Sequence, residues 1–592
     1  MIESGKTRTK RVAGKKQPFT ESILRERLLL LFMLLAGAAL ISRLFFVQVL
    51  AHDRWVAAAE GQHNAFQPLS AERGGIFIHD ADRLYPLAIN REFPMLFVSP
   101  KDVEEKDRTA LELSRISGVD AQEIREKLNK PDDPFEIIKK RLPDDEAAQV
   151  RQLGLRGVGL RPESYRYYPA GELASQVVGF AMVGKEEGAG GYGIEASQES
   201  VLRGKAGEVR QEKDAAGRWI PLSDRAIDPP KDGADIVLTL DRVIQYETER
   251  ILRESIEKYA ADRATAIVME PSTGSILAMA SVPEFDPNKY AEVEDYALFM
   301  NPAVSVSYEP GSIMKPITMA IGIEEGKVSP STEYIDTGVV HEAGYAIRNA
   351  EDKSYGRSDM YKVLNESINT GMIFIEKLVG NARFFEYMKR FGFGQRTGIS
   401  LPAELPGNTR NLSNLKSDIS FFTASFGQGV AATPLQMINA YAALANGGTL
   451  MRPRIIDRVV HADGSEEEIP SEAIRRVVSE ETAEAMGIML RDVVVNGHGK
   501  RANVPGYLVA GKTGTAQVAK GNAKGYEDGV SIGSFVGYAP IDDPKFVILV
   551  KLDNPKNVEW AESSAAPTFG EIMKFLLEYA KVEPTEEIKA KK

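Results

Sequence analysis

From Leu28 to Ser42 the chain has no charged side chain, and after Arg43 the apolar run resumes as Leu44-Phe45-Phe46-Val47 and reaches Leu50. As a helix rising 1.5 Å per residue this stretch is roughly 34 Å long, enough for the ~30 Å hydrocarbon core of a bilayer. A cleaved secretory signal has a shorter core, about 7–15 residues, followed by small residues. Here the bulky Arg43, Leu44, Phe45 and Phe46 follow instead, so the segment reads as an uncleaved anchor. Residues 1–27 carry eight Lys or Arg against three acids. The positive-inside rule therefore assigns them to the cytoplasm and everything after Leu50 to the other side. Arg43 lies toward the outer end of the span, where its stem can carry the charge to the interface. The other reading is a polar contact with a second membrane protein.

The exported remainder is too long for one domain, since the whole chain has 592 residues. Its chemistry is narrowed by what it lacks. With no cysteine there is no disulfide scaffold, thiolate metal site or cysteine nucleophile. The six histidines (His52, His63, His79, His341, His461 and His498) form no H-x-H or H-x-x-x-H pair, so neither a local two-histidine metal site nor H-E-x-x-H chemistry is expected. The net charge is -11 despite the basic head. A nucleic-acid binder would need a basic face on a folded domain, and none is expected.

From about Ala51 to Pro230 the pattern is mixed. Gly75-Ile76-Phe77-Ile78 and Met95-Leu96-Phe97-Val98 are strand-like, Glu104 to Leu128 is charged and helical, and the five glycines between Gly184 and Gly193 signal a loop. The texture changes near Asp232. Ile236 to Leu240 reads as a strand and Arg242 to Tyr259 as an amphipathic helix. Thr265–Met269 and Ser275–Ala280 read as a hairpin around Pro271-Ser272-Thr273-Gly274. Ser534–Tyr538 and Phe546–Leu552 are further strands, and Phe569 to Ala580 is a closing amphipathic helix. Strands at both ends with helices between them predict one antiparallel sheet assembled from distant parts of the chain. The charged end, Val582 to Lys592, is expected to fray.

Without cysteine or clustered histidine, a nucleophilic enzyme is left with serine and a lysine base. Ser-x-x-Lys puts both side chains on one helix face, one turn apart. It occurs at Ser255–Lys258, Ser312–Lys315 and Ser413–Lys416. Ser255 lies in a charged helical run and reads as half of a solvated pair; Ser413, in a polar stretch, reads as a helix cap. Ser312 follows the turn Tyr308-Glu309-Pro310-Gly311, and Pro316 after Lys315 is tolerable only in a first helical turn. Ser312 is thus expected at a helix N-terminus, where free N–H groups and the macrodipole favour negative charge. Ser367-Ile-Asn369 and Lys512-Thr513-Gly514 follow, with gaps of 55 and 145 residues. Each triplet alone is weak; the ordered set of three is specific.

With these motifs the chain resembles the penicillin-recognising serine acyl-transferases, and over nearly its whole length the class B penicillin-binding proteins. Arg73-Gly74-Gly75-Ile76, Arg166-Tyr167-Tyr168-Pro169 and Gly193-Ile194-Glu195 resemble signatures of that family's non-catalytic pedestal. Thr273 to Met279, Phe285 to Asn288, Phe426-Gly427-Gln428-Gly429 and Thr433-Pro434-Leu435-Gln436 resemble parts of its transpeptidase domain. The segment His79-Asp80-Ala81-Asp82 departs from the family's usual Asp-Arg-Asn-Gly-like turn. The resemblance implies a mixed α/β protein. Its parts would be a cytoplasmic tail (1–27), one transmembrane helix (28–50), an irregular α+β pedestal of the dimerisation type (51–231), a β-lactamase-like transpeptidase domain with a central antiparallel sheet flanked by helices (232–581), and a charged tail (582–592).

It further implies a D,D-transpeptidase acting on D-Ala-D-Ala stem peptides of peptidoglycan and acylated by β-lactams, with no metal or organic cofactor. Ser312 would be the nucleophile, Lys315 its proton acceptor and Ser367 a relay to the leaving amine. Asn369 would bind the substrate amide; Lys512, Thr513, Gly514 and Thr515 would hold the terminal carboxylate; the N–H groups of Ser312 and Thr515 would form the oxyanion hole. The Phe426 to Gly429 loop either borders substrate or only supports the fold. Lys315 accepts a proton only when neutral, and moving a lysine pKa from ~10.4 to near 7 corresponds to about 4 kcal/mol. Partial burial and a second cation, Lys512, would supply it. Asn369, where elongation-type relatives often carry aspartate, leans toward a septal role in cell division, with a membrane glycan polymerase and other division proteins as partners. The alternatives are an elongation enzyme, a D,D-carboxypeptidase, a β-lactamase, or a non-catalytic scaffold or β-lactam sensor.

Overall fold

The computed structural model describes residues 19–52, 55, 64–130, 133–182, 189–212, 226–520 and 525–585. They fall into two compact units: the described parts of Met1–Ser70 and Ala206–Pro230, and those of Ala71–Lys205 and Lys231–Lys592. The first unit holds the helix Phe19–Phe45, which runs on as a π-helical turn, Phe46–Leu50. Arg25–Leu50 is long and apolar enough to cross a membrane. The Arg43 guanidinium lies 5.7 Å from the Phe46 ring centroid, a cation–π geometry. The strand Asn64–Leu69 pairs antiparallel with Gly207–Glu212, which pairs with Ala226–Asp228. The basic residues before Phe19 lie outside the described residues, as do residues 184–188 of the Gly184–Gly193 run.

In the second unit, the predicted antiparallel sheet forms from strands far apart in sequence. Its order is Ile276–Val282, Arg263–Met269, Phe546–Asp553, Tyr526–Ala539, Ala510–Ala519. The hairpin around Pro271–Gly274 is present, with Ile276 opposite Met269. One face is covered by the helices Arg242–Tyr259 and Ala565–Tyr579; Phe569, Ile572, Met573, Leu576 and Leu577 of the latter are fully buried. Each such side chain contributes roughly 1.5–3 kcal/mol by leaving water. The other face packs on the apolar helix Pro434–Ala445, entered through a capping box in which Thr433 and Gln436 satisfy each other's backbone N–H groups.

The strand Asp235–Asp241 does not join this sheet. It pairs in parallel with Ile76–Asp80 and antiparallel with Ile456–Val460, in a seven-stranded sheet that also contains Arg83–Val98 and Val158–Tyr167. Arg83–Val98 is one strand of 16 residues, although Pro86 and Pro94 interrupt it in sequence. The register shifts opposite Pro86, and Pro94 faces Pro162 while its carbonyl accepts from the Leu142 N–H. Ala81, in the departing segment, takes a positive φ of 54°. Glu104–Leu128 is two helices, Lys106–Ser117 and Ala121–Leu128, separated at Gly118 and restarted by an Asp120 cap. The three pedestal signatures meet at Glu195, which is wholly buried and accepts from Arg73 Nε at 2.7 Å and Arg166 Nε at 2.6 Å. The start of the C-terminal segment is fastened rather than frayed: Thr585 N–H donates to the Gly506 carbonyl and Tyr507 Oη to that of Val582. Its remaining residues lie outside the described ones.

Candidate active site

Tyr308 bridges to Ala432, and Gly311 turns the chain with a φ of +58° into the 3-10 turn Gly311–Met314, which continues as the helix Lys315–Glu324. Ser312 is half-buried in this first turn, and Lys315 is fully buried one turn later. Pro316 is the second residue of the helix, where its missing N–H removes no intrahelical bond. Inside the apolar helix Pro434–Ala445, Tyr441 Oη donates to the Ile313 carbonyl at 2.8 Å and steadies the turn from below.

Lys315 Nζ donates to both the carbonyl and the hydroxyl of Ser367, the latter at 3.1 Å. Ser367 has a φ of +54°, a left-handed conformation that costs a non-glycine residue about 1–3 kcal/mol. That backbone lets one residue present two oxygens to the same ammonium. Asn369 opens the helix Asn369–Val379, and its Nδ2 donates to the Arg348 carbonyl at 2.9 Å.

The third motif lies on the strand Ala510–Ala519, at the edge of the five-stranded sheet. Lys512 is fully buried, and its Nζ donates to the carbonyl and Oγ1 of Thr513 at 3.2 and 3.3 Å. Thr513 and Thr515, two apart, share one face of the strand; Thr515 Oγ1 accepts from the Ala561 N–H at 3.1 Å. Gly514 passes so close to the turn that carries Ser312 that a β-carbon there would lie 3.0 Å from both Ile313 Cγ2 and the Pro310 carbonyl. On the other side, the Gly427 carbonyl accepts from the Gly311 N–H at 3.0 Å, and a β-carbon on Gly427 would lie 2.2 Å from the Gly311 carbonyl. The turn that carries Ser312 is thus held between the Lys512 strand and the Phe426–Gly429 loop.

Burial, with the charge of Lys512 second, holds the Lys315 ammonium well below its ordinary pKa. Burial likewise pulls Lys512 down to about 7, against the opposing carboxylate of Glu562. The sequence named both burial and the second cation for Lys315; the removal of water is the larger effect.

The three motifs therefore converge, whereas the other two Ser-x-x-Lys matches stand apart. Ser255 is not solvated: it is buried, with its Oγ 2.9 Å from Thr568 Oγ1 between the two helices that cover the sheet. Ser413 ends the 3-10 turn Arg410–Ser413 and donates back to the Arg410 carbonyl, so it closes a turn and does not start a helix. Sequence reasoning missed three supporting groups. Glu309 accepts from the Gly429 N–H and from Tyr526 Oη, at 3.0 and 3.1 Å. The charge of Glu562 works against the lowering of the Lys512 pKa. Tyr441 had one legible signal, since a tyrosine inside an apolar helix needs a partner for its hydroxyl.

The family model for the penicillin binding protein transpeptidase domain matches residues 264–574, and that for the penicillin-binding protein dimerisation domain matches residues 68–238. Stage V sporulation protein D of Bacillus subtilis is 34% identical over 567 residues, covering 94% of this chain and 86% of that protein. The probable peptidoglycan D,D-transpeptidase PbpC of Pseudomonas aeruginosa is 29% identical over 555 residues, covering 92% and 93%. The crystal structure of penicillin binding protein 3 from Mycobacterium tuberculosis, complexed with aztreonam, aligns with a TM-score of 0.68 at 30% identity, covering 88% of this chain and 99% of that one.

Proposed function

The chain belongs to the class B penicillin-binding proteins, which are serine-type transpeptidases, and on that premise we propose that Ser312 Oγ carries the acyl group as this enzyme cross-links peptidoglycan stem peptides. Ser312 Oγ attacks the carbonyl between the two terminal D-alanines, and its proton passes to neutral Lys315 Nζ. The oxyanion is held by the N–H groups of Ser312 and Thr515, each such donor being worth about 2.7–4 kcal/mol. The C–N bond breaks as the leaving D-alanine takes a proton through Ser367 Oγ, which leaves a Ser312 ester. An amine of a neighbouring strand then attacks the ester. Its proton returns along the same path to Ser312 Oγ, and the new amide is the cross-link. Asn369 binds the substrate amide, while Lys512, Thr513, Gly514 and Thr515 form the carboxylate cradle.

The observation that carries this reading is Lys315: a wholly buried amine of depressed pKa, one turn from Ser312 and 3.1 Å from Ser367 Oγ. β-Lactams would form a stable ester at the same oxygen. We assign its work to the division septum, with Asn369 as the residue behind that choice. Residues 1–27 would face the cytoplasm and the catalytic residues the outside, with a membrane glycan polymerase as partner.

The test supplies un-cross-linked glycan strands bearing D-Ala-D-Ala pentapeptides and separates the products. Cross-linked dimers with released D-alanine, falling by about 10³-fold or more in Ser312→Ala, are expected. Trimmed but unlinked peptides would make the protein a carboxypeptidase, and no release at all a scaffold. A fluorescent fusion followed through division tests the septal assignment; even labelling of the side wall would overturn it.

A further inference from the structure

We propose that Asp336 is a positioning residue for the amide-binding asparagine of the active site, acting through the Arg348–Asn349 peptide group. Asp336 ends the strand Glu333–Asp336 and is buried although it is a carboxylate. Five hydrogen bonds reach it. Its Oδ1 accepts from Gly338 N–H at 3.0 Å, from Asn349 Nδ2 at 3.1 Å and from Thr370 Oγ1. Its Oδ2 accepts from Tyr355 N–H at 2.7 Å and Asn349 Nδ2 at 3.0 Å. Such a set fixes an anion and everything bonded to it.

What it fixes is the base of a small hairpin, Val339–Glu342 with Tyr345–Arg348, beside the start of the helix Asn369–Val379. Gly338, held by Asp336, accepts from the Asn349 N–H at 3.1 Å. The same peptide group presents the Arg348 carbonyl on its other side, where it accepts from Asn369 Nδ2. Since a peptide group is planar, holding its N–H fixes the direction of its carbonyl. Asn349 Oδ1 also accepts from the Thr370 N–H at 3.1 Å, and so satisfies a donor of the helix's first turn that no helical carbonyl can reach. Asn369 is therefore oriented from outside its own helix. One Nδ2 hydrogen is committed to the hairpin, while the second and Oδ1 remain for a substrate amide. Pairing with a carbonyl oxygen also settles which end of the amide is nitrogen.

The inference rests on the assignment of Asn369 to the substrate amide, and the test keeps the two separable. Second-order acylation rates are measured for benzylpenicillin, whose side chain carries an amide, and for 6-aminopenicillanic acid, which keeps the β-lactam but has a free amine in place of the side-chain amide. In Asp336→Asn the ratio of the two rates is expected to fall about tenfold, the worth of one substrate hydrogen bond. The fall should match that of Asn369→Ala, and the double variant should fall no further. Because Asp336 is buried, each variant is melted in parallel, and Asn349→Ala removes the side-chain arm of the coupling, to Asp336 and to the Thr370 N–H, while the carboxylate stays in place. General loosening would slow both compounds alike and leave the ratio at the wild-type value. If Asn369→Ala lowers the ratio while Asp336→Asn and Asn349→Ala do not, the inference is overturned and the role of Asn369 stands. If Asn369→Ala leaves the ratio unchanged, that role fails and the inference goes with it.

Discussion

Two lysines set opposite demands on pH. In the proposed mechanism Lys315 accepts a proton only above its own depressed pKa, whereas Lys512 holds a carboxylate only while charged, and in the free enzyme its charge is lost near 7. Rates per encounter follow the free enzyme. The acylation rate by benzylpenicillin should therefore rise with pH and then fall with a midpoint near 7. In Lys512→Arg the falling limb should vanish, since a guanidinium keeps its proton throughout. An unchanged limb would remove Lys512 from the carboxylate cradle. The same depression has a cost in stability. Between about 7 and the ordinary lysine value of 10.5 the unfolded chain binds more protons at this site than the folded one, so stability rises with pH across that window. Lys512→Met should melt at a higher temperature than the wild type at pH 7, with a shallower rise toward pH 9, while losing acylation. That the three motifs belong to one candidate site was legible, because motif order isolates Ser312 among three matches. The left-handed backbone of Ser367 was not, since nothing local marks a serine for that conformation.

At the scale of elements, the site depends on segments that can approach only because side chains are missing. Gly427 and Gly514 border the Ser312 turn so closely that either as alanine would press on backbone or on Ile313. Gly427→Ala, also strained by its φ of +86°, should slow acylation by at least tenfold with less effect on melting temperature. Equal losses in melting and rate would mean the loop serves the fold alone. In the pedestal, Glu195→Ala would leave Arg73 and Arg166 without their shared buried carboxylate. Breaking a buried pair in this way typically costs about 3–5 kcal/mol, which a denaturant titration would register as a lower midpoint. Regular hairpins and amphipathic helices were legible from period and turn chemistry, as at Arg263–Val282. The long strand Arg83–Val98 was not, because its two prolines mimic strand ends while a register shift and a side contact absorb them.

At the scale of the molecule, the two ends of the catalytic sheet could be read from the chain, but not which sheet the strand Asp235–Asp241 enters. It lies between Ile76–Asp80 and Ile456–Val460, partners distant in sequence that only tertiary packing selects. All residues assigned to catalysis belong to the unit formed by Ala71–Lys205 and Lys231–Lys592, and the helix Phe19–Phe45 belongs to the other. A chain beginning at Ala51 should be released from membranes and acylate at the wild-type rate; loss of labelling in the soluble fraction would tie the anchor to the chemistry. The central claim is narrower: one oxygen takes the acyl group. Its most direct measurement is peptide mapping by mass spectrometry after exposure of the intact protein to benzylpenicillin. One penicilloyl group on the peptide containing Ser312, absent in Ser312→Ala, is the predicted result. An adduct at Ser255, at Ser413 or at any other residue, or none on the folded wild-type chain, would contradict it.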